Sequence, residues 1–130
     1  MAKHADSLLM NTLGKRWTAT AAPAANTTCV ATSPTPEVPT AIMNLTNLNI
    51  SLRNQAAAAV TSTCSIRDAS IAGTVLASLD FIVAAGGSNA QSFYWDMPCN
   101  TGNPVVAEFG TPAASVIQKI TICGWQETQR

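Results

Sequence analysis

Apolar side chains occupy every second position through residues 75–83, and no other feature of this sequence constrains the fold as strongly. The apolar positions are Val75, Ala77, Leu79, Phe81 and Val83, and the polar positions between them include Thr74, Ser78 and Asp80. Successive side chains of a β-strand point to opposite faces of its sheet, so this period predicts a strand with one face in a hydrophobic core.

The same period begins near residue 40 but changes phase within one segment. One phase holds Leu48, Ile50 and Leu52, and the opposite phase holds Met43 and Leu45. A β-bulge inserts one extra residue into a strand and so reverses the phase of its alternation. The pattern therefore predicts a single strand with a bulge near Asn47.

Strands and turns follow one another at short intervals over the remainder of the chain. Further strands are predicted at residues 56–66, 92–97, 105–109 and 116–125. The alanine-rich start of the first is also compatible with a helix, but its threonines favour a strand. Glycine, proline and asparagine predict connections at residues 67–73, 84–89, 99–104 and 110–112. About six to eight short strands predict an all-β fold, an antiparallel β-sandwich or a jelly-roll-like barrel.

Residues 1–39 are predicted to form an extended N-terminal arm, and residues 40–130 a single β-sandwich domain. Leu8, Leu9, Leu13 and Trp17 follow a spacing close to one helical face, which predicts a short helix or a docking arm. Four prolines exclude regular structure from most of residues 18–39, although residues 26–31 have the composition of an edge strand. We expect the four apolar residues to anchor the arm on another protein, the alternative being a solvent-exposed leader.

Charged residues are scarce. They make up 11% of the 130 residues, hydrophobic residues make up 47%, and the formal net charge is +0; soluble domains usually contain about 25% charged residues. Small neutral residues take their place, and these cost little to bury. Such a surface favours permanent contact with other proteins, although a secreted or merely Thr- and Ser-rich β-protein would share it.

The charge balance and the apolar runs also exclude some partners. Binding of nucleic acid requires a basic stripe that neutralises phosphates, and no such stripe is present. No stretch approaches the roughly 20 apolar residues of a transmembrane helix. The apolar run Leu8-Leu9-Met10 is too short for a secretion signal. We therefore expect synthesis in the cytosol and no membrane partner.

The four cysteines, Cys29, Cys64, Cys99 and Cys123, are scattered through the chain. Their spacing lacks the CxxC pairs of a zinc site, so no metal is predicted. Without a secretion signal, free thiols that fill the core are favoured over disulfides.

No catalytic residue is predicted. The single histidine, His4, lies in the arm, and the seven carboxylates are isolated in sequence. Catalysis by general acid and base needs titratable groups in pairs, and only a pairing of two carboxylates in space would supply one. Gly86-Gly87 lacks the context of a phosphate-binding loop and predicts a hairpin turn. Neither an enzyme nor a cofactor is expected.

Aromatic side chains are the one feature that points to a ligand. Phe93, Tyr94 and Trp95 are consecutive, and Trp125 lies in the last predicted strand. Aromatic rings stack on sugars and anchor protein interfaces, so Tyr94, Trp95 and Trp125 form a candidate ligand platform. The alternative interpretation places Phe93 and Trp95 in the core, with Tyr94 covering the sheet edge.

An arm with apolar anchors followed by a charge-poor β-domain resembles the small accessory structural proteins of bacteriophage virions, such as capsid decoration and head-fibre proteins. The resemblance lies in Leu8, Leu9, Leu13 and Trp17 and in the composition of the body. It implies a non-enzymatic virion protein made in the host cytoplasm. It also implies a homo-oligomer, with a trimer favoured, that binds a major capsid protein or a neck or tail protein.

Two other functions fit the same sequence. A receptor- or glycan-binding tip of a phage tail, or of another extracellular assembly, would use the platform of Tyr94, Trp95 and Trp125. A secreted or pilus-like β-domain would instead carry disulfides between its cysteines.

Overall fold

Eight β-strands make up the regular secondary structure in the computed structural model, which describes residues 15–100, 102–112 and 115–128. In chain order they are β1 (Lys15–Ala21), β2 (Cys29–Thr32), β3 (Ala41–Asn54), β4 (Val60–Asp68), β5 (Val75–Val83), β6 (Ser88–Pro98), β7 (Val105–Phe109) and β8 (Val116–Thr128). The predicted all-β class is confirmed. Across the described residues, no helix has the length and apolar character needed to cross a membrane.

The strands form two four-stranded antiparallel sheets that pack face to face. The long sheet has the order β1-β8-β3-β6, and the short sheet has the order β2-β7-β4-β5. The pairs are nested, since β1 pairs with β8, β2 with β7, β3 with β6 and β4 with β5. Nested antiparallel pairs rolled into two sheets are the connectivity of a jelly roll, in agreement with the sequence.

A bulge at Thr46 keeps one face of β3 in the core along the whole strand. The register of β3 against both of its neighbours shifts between Leu45 and Asn47, as the sequence predicts. The inward side chains on either side of it are all buried: Met43, Leu45, Leu48, Ile50 and Leu52.

Aromatic rings from both sheets meet in the core. Phe81 and Phe109 come from the short sheet, and Phe93 comes from the long sheet. The ring centroid of Phe81 lies 5.9 Å from those of both Phe93 and Phe109, in tilted and edge-on contacts. This geometry is favoured because the positive edge of one ring meets the negative face of another.

The structure moves the predicted boundary between arm and domain toward the N-terminus. β1 and β2 are edge strands of the two sheets, so residues 15–32 belong to the sandwich. Trp17 faces the core and is only 8% exposed, which removes it from the set of arm anchors. An edge strand needs only one hydrogen-bonded neighbour, and the prolines of this region lie outside both strands. Leu8, Leu9 and Leu13 lie outside the described residues.

Asn54 explains why β4 begins at Val60 and not at residue 56 as predicted. Its buried side-chain Nδ2 donates to the carbonyls of Ala58 at 2.8 Å and Val83 at 3.2 Å. Its Oδ1 accepts the amide of Ala56 at 2.9 Å. The alanine-rich segment therefore wraps around Asn54 as a loop and does not pair in a sheet.

The turn at Gly86-Gly87 joins the two sheets, so the predicted hairpin is wrong although the tight turn is present. β5 belongs to the short sheet and β6 to the long sheet. Gly86 has a φ of 67°, which glycine adopts without steric cost. The amide of Gly87 donates to the carbonyl of Ala84 at 2.9 Å. The two-residue alternation of apolar side chains identifies each strand, but it does not identify the sheet to which the strand belongs.

Gly124 lies where a side chain has no room. A Cβ there would collide with the carbonyl oxygen of Asn44 and would lie 2.6 Å from Cζ2 of Trp17. We expect Gly124→Ala to lower the free energy of unfolding by about 1–3 kcal/mol through overpacking. Gly110→Ala is the matched control, since a Cβ at Gly110 meets no atom within 4 Å. Urea unfolding measures the free energy of unfolding of both variants. Equal values for the two would contradict the close approach at Gly124.

Candidate functional site

Alternation along β6 sends its aromatic side chains to opposite faces of the long sheet. Phe93 and Trp95 pack against the core with their ring centroids 6.0 Å apart. Tyr94 points outward and is 73% exposed. Trp95 therefore lies outside any surface platform, as the alternative interpretation of the sequence expects.

Tyr94 and Trp125 share the outer face of the long sheet. Trp125 on β8 is in register with Arg16 on β1 and Asn44 on β3. Tyr94 on β6 is opposite Asn47 on β3. Because β3 runs between β8 and β6, the two aromatic residues stand two strands apart, and they are offset along the strands by the span from Asn44 to Asn47. The structure thus places two of the three predicted platform residues on the same face of the sheet.

The bulge opens a cleft on this face. We term it the bulge cleft; it has a volume of about 350 Å³ and is lined by Arg16, Trp17, Thr18, Thr46, Asn47, Cys123 and Gly124. The hydroxyl of Thr46 donates to Oδ1 of Asn47 at 3.0 Å and lies 3.3 Å from the carbonyl of Cys123. Neutral hydrogen-bonding groups with a single cation, that of Arg16, suit a neutral polar ligand better than a highly charged one.

A buried carboxylate forms a second polar cluster at the end of β4. Asp68 is only 7% exposed. One carboxylate oxygen accepts the thiol of Cys99 at 2.7 Å, and the other accepts Nδ2 of Asn100 at 2.6 Å and of Asn103 at 3.2 Å. These donors fix the loop of residues 99–104 against β4, so the cluster holds the fold at this end of the sandwich.

Ionisation within this cluster follows from its hydrogen bonds. Burial by itself would raise the pKa of Asp68, but the bonds from Cys99, Asn100 and Asn103 outweigh it and hold the pKa below its usual value. Burial and the neighbouring carboxylate raise the pKa of the Cys99 thiol to about 12. Cys99 therefore stays protonated and acts as a donor.

The four cysteines are free thiols, as the sequence favours. Burial raises the pKa of Cys29 to about 11 and that of Cys64 to about 12. The thiolate is the reactive form, so these thiols are core side chains and not nucleophiles. Cys123 differs, because it is half-buried at the bulge cleft.

The described titratable groups form no metal site. Over the ranges that the structure describes, no three His, Cys, Asp or Glu side chains come together in a way that could hold a metal ion. His4 lies outside those ranges.

Sequence reasoning missed both the Asp68 cluster and the bulge cleft. Asp68 lies 31 to 35 residues from its donors, and only the topology brings them together. The one signal in the sequence was the concentration of Cys and Asn at residues 99–103, which is also typical of an ordinary loop. The bulge was predicted, but a cleft beside it depends on Cys123 and Thr18 from other strands.

No protein-family model and no curated protein matches this chain. Among solved structures, it is similar to the carbohydrate-binding module CsCBM6-3 from Clostridium stercorarium, solved in complex with cellobiose, with 13% identity and a TM-score of 0.41 over 80% of this chain and 70% of that one. It is also similar to a chain of the empty particles of Cowpea mosaic virus, with 10% identity and a TM-score of 0.45 over 90% and 85% of the two chains. A third similar structure belongs to the disulfide-linked pili of Bacillus endospore appendages, with 13% identity and a TM-score of 0.41 over 92% and 95%. Similarity at this level extends no further than a shared β-sandwich architecture.

The lowered pKa of Asp68 makes the stability of the fold depend on pH. The ionised carboxylate stabilises the folded state above its unfolded pKa of about 3.9. This contribution is lost as the pH falls through the lower pKa of the folded state. We expect Asp68→Asn to lower the free energy of unfolding at pH 7 by about 1–3 kcal/mol, because buried donors lose their acceptor.

Urea unfolding at pH 7 and at about pH 3 measures this effect. The difference in free energy of unfolding between Asp68→Asn and the wild type should be smaller at the lower pH. Asp96→Asn, at an exposed position on β6, is the control and should leave stability nearly unchanged at both. A gap that stays constant with pH would contradict a charged Asp68.

Proposed function

We propose that this chain is a non-enzymatic structural subunit of a virus particle, a phage capsid decoration protein or another virion-surface protein. Its proposed partners are further copies of itself, with a trimer favoured, and a major capsid protein or a neck or tail protein. The observation that carries the proposal is a jelly roll whose exposed polar side chains bond to one another on a surface with few charges.

Exposed hydroxyl and thiol groups on the sandwich form pairs between strands and loops. The pairs are Thr20 with Thr121 at 3.2 Å, Thr28 with Thr111 at 2.7 Å and Thr18 with Cys123 at 3.4 Å. Burying an unpaired polar group is costly, whereas a group that already has a partner loses less when water is removed. Contact with another protein would therefore cost this surface little desolvation.

Charged side chains contribute little to this surface. Lys15 and Glu37 form the only ion pair within the described residues, and it is exposed; such pairs contribute at most about 1 kcal/mol. From residue 74 to residue 125 the single basic residue is Lys119. A domain that stays monomeric usually carries a mixed charged surface and a net charge away from zero, so the composition supports association.

The proposed anchors of the arm are Leu8, Leu9 and Leu13, since Trp17 belongs to the core. The segment precedes β1 and therefore meets the body at the edge of the long sheet. Apolar area buried on a partner stabilises a contact by roughly 25 cal/mol per Å². Several such contacts in one assembly reinforce one another through high effective concentration.

A second candidate function is a receptor- or glycan-binding module of a phage tail or another extracellular assembly. The bulge cleft favours it, because Tyr94 and Trp125 flank a region lined by the neutral polar groups of Thr46 and Asn47. Aromatic rings stack on sugar faces, and neutral side chains bond their hydroxyls. Jelly rolls occur in both viral capsid and lectin domains, so the fold alone favours neither candidate.

Self-association tests the first candidate. We expect the solution mass of the full-length chain, measured by light scattering or analytical ultracentrifugation, to rise with concentration to a fixed multiple of the monomer, with a trimer favoured. Any truncation in this experiment should end before Lys15, because removal of β1 would expose the core at Trp17. A chain that stays monomeric at every concentration would contradict the homo-oligomer.

Substitution of the two outward aromatic residues tests the second candidate. If the wild type binds a glycan on an array, Tyr94→Ala with Trp125→Ala should weaken that binding about tenfold or more, since each stacked ring contributes about a kcal/mol or more. Ile82→Ala is the control, because Ile82 is 70% exposed on the other sheet. Titration calorimetry measures the loss. Glycan binding that survives the double substitution would rule out this platform.

A further inference from the structure

The sandwich has two lateral sides, and each is formed by one edge strand of each sheet. The two sides differ in how well these edge strands are protected from pairing with other chains. One side, here the β1/β2 side, carries strands of only 7 and 4 residues. Lys15 and Arg16 begin β1, and Pro23 and Pro34 follow the two strands. Short strands, basic side chains and prolines are the usual means by which proteins keep sheet edges from pairing with other chains.

The opposite side, here the β5/β6 side, has none of this protection along its length. Its strands have 9 and 11 residues, and neither has a second hydrogen-bonded neighbour among the described strands. Neither strand contains a lysine or an arginine, and the only proline is the last residue of β6. A long edge without such residues is a template for strand addition.

The exposed side chains of β5 and β6 include apolar and acidic residues but no basic ones, and the others, such as Ser78 and Gln91, are neutral and polar. Val75 is 45% exposed, Ile82 is 70% exposed and Tyr94 is 73% exposed. The charged residues of the two strands are Asp80 and Asp96, both exposed. The hydroxyl of Thr63 donates to Asp80 at 2.6 Å, and this carboxylate forms no ion pair with a basic group of the described residues. A partner for this side should therefore be apolar and basic.

We propose that the β5/β6 side of one copy binds residues 1–14 of a neighbouring copy, which add as a strand to the edge of β6. This inference rests on the proposed homo-oligomer and names the contact that the arm makes. The segment carries the apolar residues Leu8, Leu9 and Leu13 and the basic residues Lys3 and His4. Its single acidic residue is Asp6. Its chemistry thus complements the exposed apolar groups and carboxylates of the β5/β6 side.

The position of β1 makes the contact a head-to-tail one. Residues 1–14 join the body at Lys15, on the side of the sandwich opposite β6. Donor and acceptor are therefore different surfaces of the same subunit, and such heterologous contacts close into a ring or continue as a filament. A trimer, as proposed, would be one such ring. Fourteen residues reach up to about 46 Å when extended, enough to bridge two subunits.

Two full-length variants with complementary defects test this arrangement. The donor variant, Leu8→Asp with Leu9→Asp, impairs the segment and keeps β6 intact. The acceptor variant, Ala90→Lys with Tyr94→Lys, places two lysines at exposed outward positions of β6. A control, Ser51→Lys with Thr61→Lys, adds the same charge at exposed positions of the interior strands β3 and β4. Circular dichroism and thermal unfolding verify that each variant folds.

We expect the affinity of self-association of each defective variant alone to be about tenfold or more lower than that of the wild type. Replacement of anchor residues at an interface commonly has an effect of this size. The control should associate like the wild type. A one-to-one mixture of donor and acceptor variants should form a dimer and no larger species, because only one intact contact exists per pair. Native mass spectrometry measures all of these masses.

Other outcomes would overturn the inference. A donor variant that still self-associates fully would indicate pairing of β6 with β6, and a mixture that stays monomeric would exclude the head-to-tail contact. If the wild type associates and neither variant weakens it, the inference fails while the proposed homo-oligomer stands. A wild type that is monomeric throughout contradicts the proposed function itself.

Discussion

The antiparallel pairing of β3 with β8 and β6 holds the long sheet together, and the bulge at Thr46 makes that pairing compatible with the core. A shift of one residue in a strand turns every later side chain to the other face. The bulge supplies that shift between Leu45 and Leu48, so that both remain buried. The same irregularity opens the bulge cleft on the outer face and brings Gly124 too close to its neighbours for a side chain. Core packing and the candidate ligand surface thus share one cause.

Three buried polar side chains, those of Asp68, Asn54 and Gln118, are paired with donors and acceptors from distant parts of the chain. Asp68 is held by three neutral donors, and Asn54 binds the loop between β3 and β4. Gln118 donates from β8 to the carbonyls of Thr27 and Gly110. Because an unpaired buried polar group is costly, these contacts fix the loops at the ends of the sheets. A chain with few charges reaches a defined fold in this way without relying on ion pairs.

A jelly roll with two open sheets leaves four edge strands, and their unequal protection bears on assembly. The short edges β1 and β2 lie on the side from which the N-terminal segment departs, and the long edges β5 and β6 lie opposite. The bulge cleft lies on the outer face of the long sheet, between β1 and β3. Tyr94 belongs to both the candidate ligand platform and the β5/β6 side, so assembly through the edge of β6 would cover part of the ligand surface and leave the bulge cleft open.

The sequence by itself determined what depends on neighbouring residues: the strands near 75–83 and 105–109, the bulge in β3, the tight turn at Gly86-Gly87, and the opposite orientations of Tyr94 and Trp95. Alternation and glycine chemistry are local, and they were sufficient for the all-β class. Only the tertiary structure decided which strands pair, that β1 and β2 join the sandwich, that β5 and β6 lie in different sheets, and that Trp17 is core. It also decided the burial of Asp68 among donors more than 30 residues away. These features depend on contacts between distant segments, which a period of two residues does not encode.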